Sequence, residues 1–173
     1  MPGSGGRGVL KPRVGVSACL LGAPVRYDGQ SKPDEWIRRV LASVADLVPL
    51  CPETGAGLPV PRPPVRLVKL RDGIRALGIE DPQRDITGIV EQWSQSMREV
   101  LDGLDAVILK SRSPSCGLGS ALLQLPNGES LGLTSGLFAS FLSAEYPDLV
   151  LIEETALVST RAREHFLRTL RPG

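Results

Sequence analysis

The chain has 173 residues and a formal net charge of +1, from 20 Lys and Arg against 19 Asp and Glu. That balance leaves no global field to recruit DNA or an anionic membrane, and the length suits one domain with a core of its own. The longest apolar stretches, such as LGLTSGLFASFL, are interrupted by Gly and Ser and fall short of the roughly 18 to 20 residues that a membrane-spanning helix needs.

The opening MPGSGGRGVLKPR reads as a flexible Gly-rich tail over 1–12, without the apolar centre of a secretory signal, which implies a cytoplasmic, reducing location. Its GSGGRG precedes the first strand instead of following one, so a phosphate-loop reading fails. Residues Arg13 to Cys19, RVGVSAC, read as a short apolar strand leading into the turn-rich LLGAPVRYDG. A helix fits Asp34 to Val44, with Trp36, Val40, Leu41 and Val44 at helical spacing and Asp34 as its starting signal. A second strand, Leu47 to Leu50, runs into Cys51 and a Pro- and Gly-rich loop.

Val65 to Ile79 reads as a hairpin around Asp72-Gly73. Asp85 to Leu101 carries the clearest amphipathic pattern, placing Ile86, Ile89, Val90, Trp93, Met97 and Val100 on one helix face. Ala106 to Lys110, AVILK, is a continuous apolar run, as expected of a strand covered on both faces. A second hairpin turns at Asn127-Gly128, a helix fits Thr134 to Tyr146, a last buried strand Leu149 to Glu154, and a short amphipathic helix Thr160 to Leu170. Strands alternating with helices predict an α/β fold: a single layered, Rossmann-like domain over 13–156 with a mostly parallel sheet and helices on both faces. Residues 157–173 read as a helical extension of that domain.

The chemistry concentrates in three cysteines. Cys19, Cys51 and Cys116 each follow a predicted strand, and in open parallel sheets ligands bind beyond the carboxyl ends of the strands. An odd count argues against a disulfide framework, and neither a CxxC pair nor a nearby His pair supports a zinc finger or a thioredoxin motif. Three thiolates without a fourth ligand suit a 4Fe-4S cluster with one iron left open, since such clusters otherwise take four cysteines. Spacing alone favours the alternative of three unrelated cysteines, two buried beside strands and one incidental.

The segments VGVSACLLGAPVRYDG, CPETGAGLPVPRPP, GIEDPQRDITG and LKSRSPSCG, in that order, resemble the motifs of the thiouracil desulfurases, a small bacterial family, over roughly Arg13 to Glu154. The resemblance implies a 4Fe-4S cluster held by Cys19, Cys51 and Cys116, and cluster-dependent, non-redox removal of sulfur from a thiolated pyrimidine of the 2-thiouracil or 4-thiouracil type, giving uracil and hydrogen sulfide. In that mechanism Glu53 is placed as the base that activates water and Ser113 as a proton relay or charge-holding hydroxyl, with a turn hydroxyl capping backbone amides as the alternative for Ser113; Arg26, Tyr27 and Asp28 are candidate substrate contacts, with a plain Asp-Gly turn as the alternative. Arg62 is a weaker substrate contact, Lys110 a group that tunes cluster charge, and His165 a surface or packing residue. The expected partners are a small thiolated nucleobase or nucleoside and, transiently, the machinery that assembles clusters, with neither DNA nor membrane. Nucleobase sulfur insertion and a non-catalytic iron-sulfur or metal-sensing module are the alternative readings. The segment after Cys116 departs from the family pattern, which bears on substrate preference.

Overall fold

The computed structural model describes residues 10–170. The expected tail over 1–12 lies, for residues 1–9, outside the described residues.

Four strands form a parallel sheet: β1 (Arg13–Ser17), β2 (Asp46–Leu50), β5 (Ala106–Leu109) and β8 (Val150–Glu153), in the order β2-β1-β5-β8. Strand β1 has β2 on one side and β5 on the other, both parallel to it. Two-residue alternation sends side chains to opposite faces. Val14, Val16, Ala106 and Ile108 pack under Ile37 and Leu41 of the first helix and under Phe166 and Leu170 of the C-terminal helix. Val107 and Leu109 face the other way, against Leu101, Phe138 and Leu142. Burying each Val, Leu, Ile and Phe among these stabilises the fold by about 1.5 to 3 kcal/mol. Gly15 is small for a reason: a Cβ there would lie 2.7 Å from Leu50 and 2.9 Å from Leu104.

Helix α1 opens as a π-helical stretch, Trp36–Leu41, and continues as Ala42–Val44, with the Asp34 carboxylate accepting the Ile37 N–H. Its tighter successor α2 (Pro52–Gly55) follows β2 directly. The two predicted hairpins, β3–β4 (Val65–Leu70, Gly73–Gly78) and β6–β7 (Ala121–Gln124, Ser130–Thr134), are present. They are not separate embellishments. Strand β3 pairs in parallel with β6, giving a second sheet of order β4-β3-β6-β7. A lone hairpin cannot bury an apolar row; together they enclose Leu67, Ala76 and Ala121 against Ile86 and Val90.

The long amphipathic helix expected over Asp85 to Leu101 is two helices, α3 (Thr87–Ser96) and α4 (Arg98–Asp102), interrupted at Met97. It starts late because Asp85 bridges to Leu77 as an extended residue while its carboxylate accepts the Thr87 N–H. The buried face carries Thr87, Val90 and Ser94, whereas Ile89 is exposed. Likewise the helix expected from Thr134 starts at Leu137 (α5, Leu137–Glu145), because Thr134 completes the β7 ladder opposite Ala121. Helix α6 (Thr160–Leu170) closes the described chain.

Candidate metal centre and active site

Strands β2, β1 and β5 are neighbours, and each delivers one cysteine from its carboxyl end. Cys51 follows β2 directly, Cys19 lies in a single turn after β1 (Ala18–Leu21), and Cys116 lies in the loop after β5. The chain leaves β1 toward β2 on one side and returns to β5 on the other. Such a reversal opens a crevice at the carboxyl ends of the strands. A cavity of about 830 Å³ occupies that crevice, and all three cysteines line it, together with Arg26, Glu53, Arg62, Lys110, Ser113 and Ser115.

The thiols influence one another across this space. Burial pushes the Cys116 thiol up to about 12; a hydrogen bond with Ser17 opposes the rise, and Cys51, Cys19 and the Glu53 carboxylate add to it. Burial likewise raises Cys19, opposed by the Arg26 and Lys110 cations and assisted by Cys51 and Glu154. Three free thiols thus meet at one pocket.

Three cysteine thiolates are the soft, negatively charged donors that iron-sulfur clusters take, and all three line this one cavity. Cationic groups face the place where that negative charge would gather. Lys110 and Arg26 act on Cys19, and the Arg26 Nε is buried with no hydrogen-bond partner among the described residues.

The loop that carries Cys116 is held from several sides. Ser113 Oγ accepts the Ser115 and Cys116 N–H groups at 3.1 and 3.0 Å, the cap of a single turn. Ser17 Oγ accepts the Lys110 N–H at 2.9 Å. Two successive carboxylates at the end of β8 hold the loop at both ends: Glu154 accepts from Ser111 N–H (2.7 Å), Ser111 Oγ (2.9 Å) and Lys110 Nζ (3.1 Å), while Glu153 accepts from Leu118 N–H (2.9 Å) and from the Ser120 hydroxyl. Arg112 takes a left-handed conformation, φ 67°, with its N–H on Ser120 Oγ. Such backbone strain, of order 1 to 3 kcal/mol, collects at functional sites. Helix α5 presses on the loop from below, so closely that a Cβ on Gly136 would lie 2.5 Å from the Ser115 carbonyl carbon.

Glu53 lies in α2, two residues after Cys51, and both its oxygens are engaged. Oε1 accepts from Arg62 Nε at 2.8 Å and Oε2 from Ser115 Oγ at 2.9 Å. Ser115 carries no sequence signal of its own, because its Glu53 partner is 62 positions away. Arg62, read from sequence as a substrate contact or a loop cation, is turned to Glu53 with its side chain only 4 % exposed. Lys110 is an ion-pair partner of Glu154 as well as a neighbour of Cys19. Tyr27 lines the cavity. Asp28 does not; it is exposed, and its carboxylate accepts the Gln30 N–H within its own turn. His165 is exposed on α6, away from the cavity.

The family model described as 2-thiouracil desulfurase matches residues 14–154. An uncharacterized protein, YbbK, from Bacillus subtilis (strain 168) is 31% identical over 111 residues, 60% of this chain and 72% of its own. The solved structure of a 4Fe-4S-dependent thiouracil desulfidase, TudS, superposes with a TM-score of 0.68 at 28% identity, covering 90% of this chain and 99% of that one.

Proposed function

Because the chain belongs to the 2-thiouracil desulfurase family, we propose that it is a 4Fe-4S-dependent enzyme that removes sulfur from a thiolated uracil without net redox change, releasing hydrogen sulfide. The observation that carries this reading is the convergence of Cys19, Cys51 and Cys116 on one cavity that Glu53 also lines. Cys19, Cys51 and Cys116 would hold the cluster, and when bound it would supply Lewis acidity toward the thiocarbonyl sulfur.

The chain's own residues handle water and protons. An ionised carboxylate has about four lone-pair sites. Arg62 and Ser115 engage one on each Glu53 oxygen, which leaves acceptor capacity for the water that attacks the thiocarbonyl carbon. Glu53 takes the proton of that water as general base. Ser113 Oγ accepts two backbone N–H groups, so its own proton is free to be donated to charge developing on the pyrimidine ring. The Arg26 guanidinium and the Tyr27 ring line the same cavity and are assigned to the substrate's polar edge and face. Asp28 shapes the turn that carries them, through its bond to Gln30.

The proposed catalytic domain spans 13–156, with 157–173 as an extension of it, and within that extension Phe166 and Leu170 pack on the sheet. Among the described residues no helix is long and apolar enough to cross a membrane. Three free cysteines beside a net charge of +1 support a cytoplasmic enzyme with a small thiolated base or nucleoside as substrate, without DNA, loaded by the cluster-assembly machinery. The test is Glu53→Gln. It retains iron while sulfide release from 2-thiouracil falls by about 10²- to 10⁴-fold, the usual contribution of a general base. A Glu53→Gln protein that turns over as fast as the parent overturns the role of Glu53, and indifference of every activity to it favours a sensing module.

A further inference from the structure

We infer that Arg62 is the positioning residue of this site: it fixes the aim of Glu53 and ties that aim to the loop bearing Arg26 and Tyr27. The inference rests on the desulfurase reading above.

Arginine is rarely buried without partners that use its charge and its fork of donors. Here each side-chain nitrogen has a directed partner. Nε donates to Glu53 Oε1 at 2.8 Å, Nη1 to the Pro59 carbonyl at 3.2 Å and Nη2 to the Val25 carbonyl at 2.8 Å. The backbone N–H of Arg62 donates to the Tyr27 carbonyl at 2.7 Å. One residue therefore joins three segments of chain: the turn after Cys51, the Pro-rich loop that Arg62 itself belongs to, and the loop after Cys19. Three of the five guanidinium N–H donors, one on each nitrogen, are directed at protein acceptors, and the bond to Glu53 is made with the side chain only 4 % exposed. What it sets is the direction of the carboxylate lone pairs that remain available to water.

Ser115 holds the opposite oxygen at 2.9 Å, so Glu53 is gripped from both sides and from two different strands' loops. A displacement of about 1 Å in a reacting group is enough to cost roughly 10²-fold in rate. Lysine cannot stand in, because an ammonium is a compact point charge without the planar fork.

The experiment compares anaerobically reconstituted wild type, Arg62→Ala, Arg62→Lys and Glu53→Gln. Four readouts are taken: iron and sulfide content, kcat and KM on 2-thiouracil, the Kd for uracil, and rescue by added guanidine. Amide exchange across 25–27 is measured on the cluster-free proteins. Positioning predicts that Arg62→Ala keeps its iron and binds uracil within about twofold of wild type. Its kcat falls about 10²-fold with KM nearly unchanged, and exchange over 25–27 quickens. Guanidine restores at least tenfold of the lost rate in Arg62→Ala and none in Glu53→Gln, while Arg62→Lys stays slow. A rise in KM and uracil Kd with kcat intact makes Arg62 a substrate contact and overturns the inference, as does full activity in both Arg62 variants. If Arg62→Ala fails to fold, Arg62→Lys decides the matter by the same split of kcat from KM. A wild type that holds a cluster but releases no sulfide from 2-thiouracil refutes the desulfurase reading itself, a result separable from every outcome at Arg62.

Discussion

Glu53 and Ser115 sit 62 positions apart in the chain and 2.9 Å apart at the hydrogen bond. At this scale the account rests on individual donors and acceptors. Ser115→Ala removes the hydroxyl that donates to Glu53 Oε2 while leaving the Arg62 bond in place, and the alanine fits the buried space. Sulfide release from 2-thiouracil is expected to fall about tenfold with iron content unchanged, a smaller loss than that of Glu53→Gln; a fall in bound iron instead would give Ser115 a purely structural role. Cys116→Ala removes a cluster corner, and iron per chain measured after anaerobic reconstitution is expected to drop severalfold along with turnover. The cysteines and Glu53 were legible in the sequence because they lie inside short motifs, SAC, CPE and SPSCG, where neighbours in the chain are neighbours in space. Arg62 and Ser115 were not, because the meaning of each is a partner that only folding supplies. A polar residue in a Pro-rich or Ser-rich loop looks solvated until its acceptor is known.

The elements decide where those residues are held. Helix α5 begins at Gly136 against the Cys116 loop, and the atoms a Cβ would strike there are backbone, the Ser115 carbonyl carbon at 2.5 Å and the Pro114 oxygen at 2.7 Å. Backbone cannot swing aside as a side chain can. Gly136→Ala is therefore expected to destabilise the protein by about 1 to 3 kcal/mol and to lower iron occupancy, read as a shifted urea midpoint and a reduced iron-to-protein ratio. A second prediction concerns the start of α3. Burial pushes the Asp85 carboxyl up, but hydrogen bonds from Thr87 and Arg75 outweigh it and hold the group below its ordinary 3.8. A lowered carboxyl stabilises the folded state above its unfolded pKa, and that contribution is lost as pH falls through the folded value. With Arg75 and Asp85 about a third exposed, the contribution is screened to about 1 kcal/mol or less. Asp85→Asn should thus lose stability at pH 7, and its gap from the parent should close as pH falls below the ordinary 3.8 and through the lowered folded value, as followed by urea unfolding across pH; a constant gap down to acid would contradict the pairing. The same residue explains why the helix boundary was misread. Apolar periodicity began at Ile86, but Asp85 spends its side chain and backbone on closing the β4 edge, and periodicity carries no information about such local competition. The interruption at Met97 was hidden for a related reason, since Ser94 and Thr87 are polar by type yet buried.

Across the whole molecule, two sheets share the work. The parallel sheet β2-β1-β5-β8 was foreseeable from apolar runs and helical spacing, because β5 is apolar at every position and β1 sets Val14 and Val16 under one helix layer. The second sheet was not, since its defining contact is the parallel ladder between β3 and β6, and nothing local in either hairpin announces the other. The C-terminal helix lies outside the matched residues 14–154 yet seats Phe166, only 2% exposed, in the same core as β1 and β5. Phe166→Ala is expected to cost about 3 to 5 kcal/mol of stability, measured by chemical denaturation, while turnover per bound cluster stays near that of the parent; a selective loss of turnover would tie this helix to the chemistry. The central claim is that the sheet brings three remote thiols together to hold one cluster in a pocket with its own base. Its most direct measurement is iron and acid-labile sulfide per chain after anaerobic reconstitution, taken with sulfide released from 2-thiouracil by the same sample. About four iron and four sulfide per chain, together with many turnovers of sulfide, is the predicted result. Iron near zero, or a full cluster that liberates no sulfide, would contradict it.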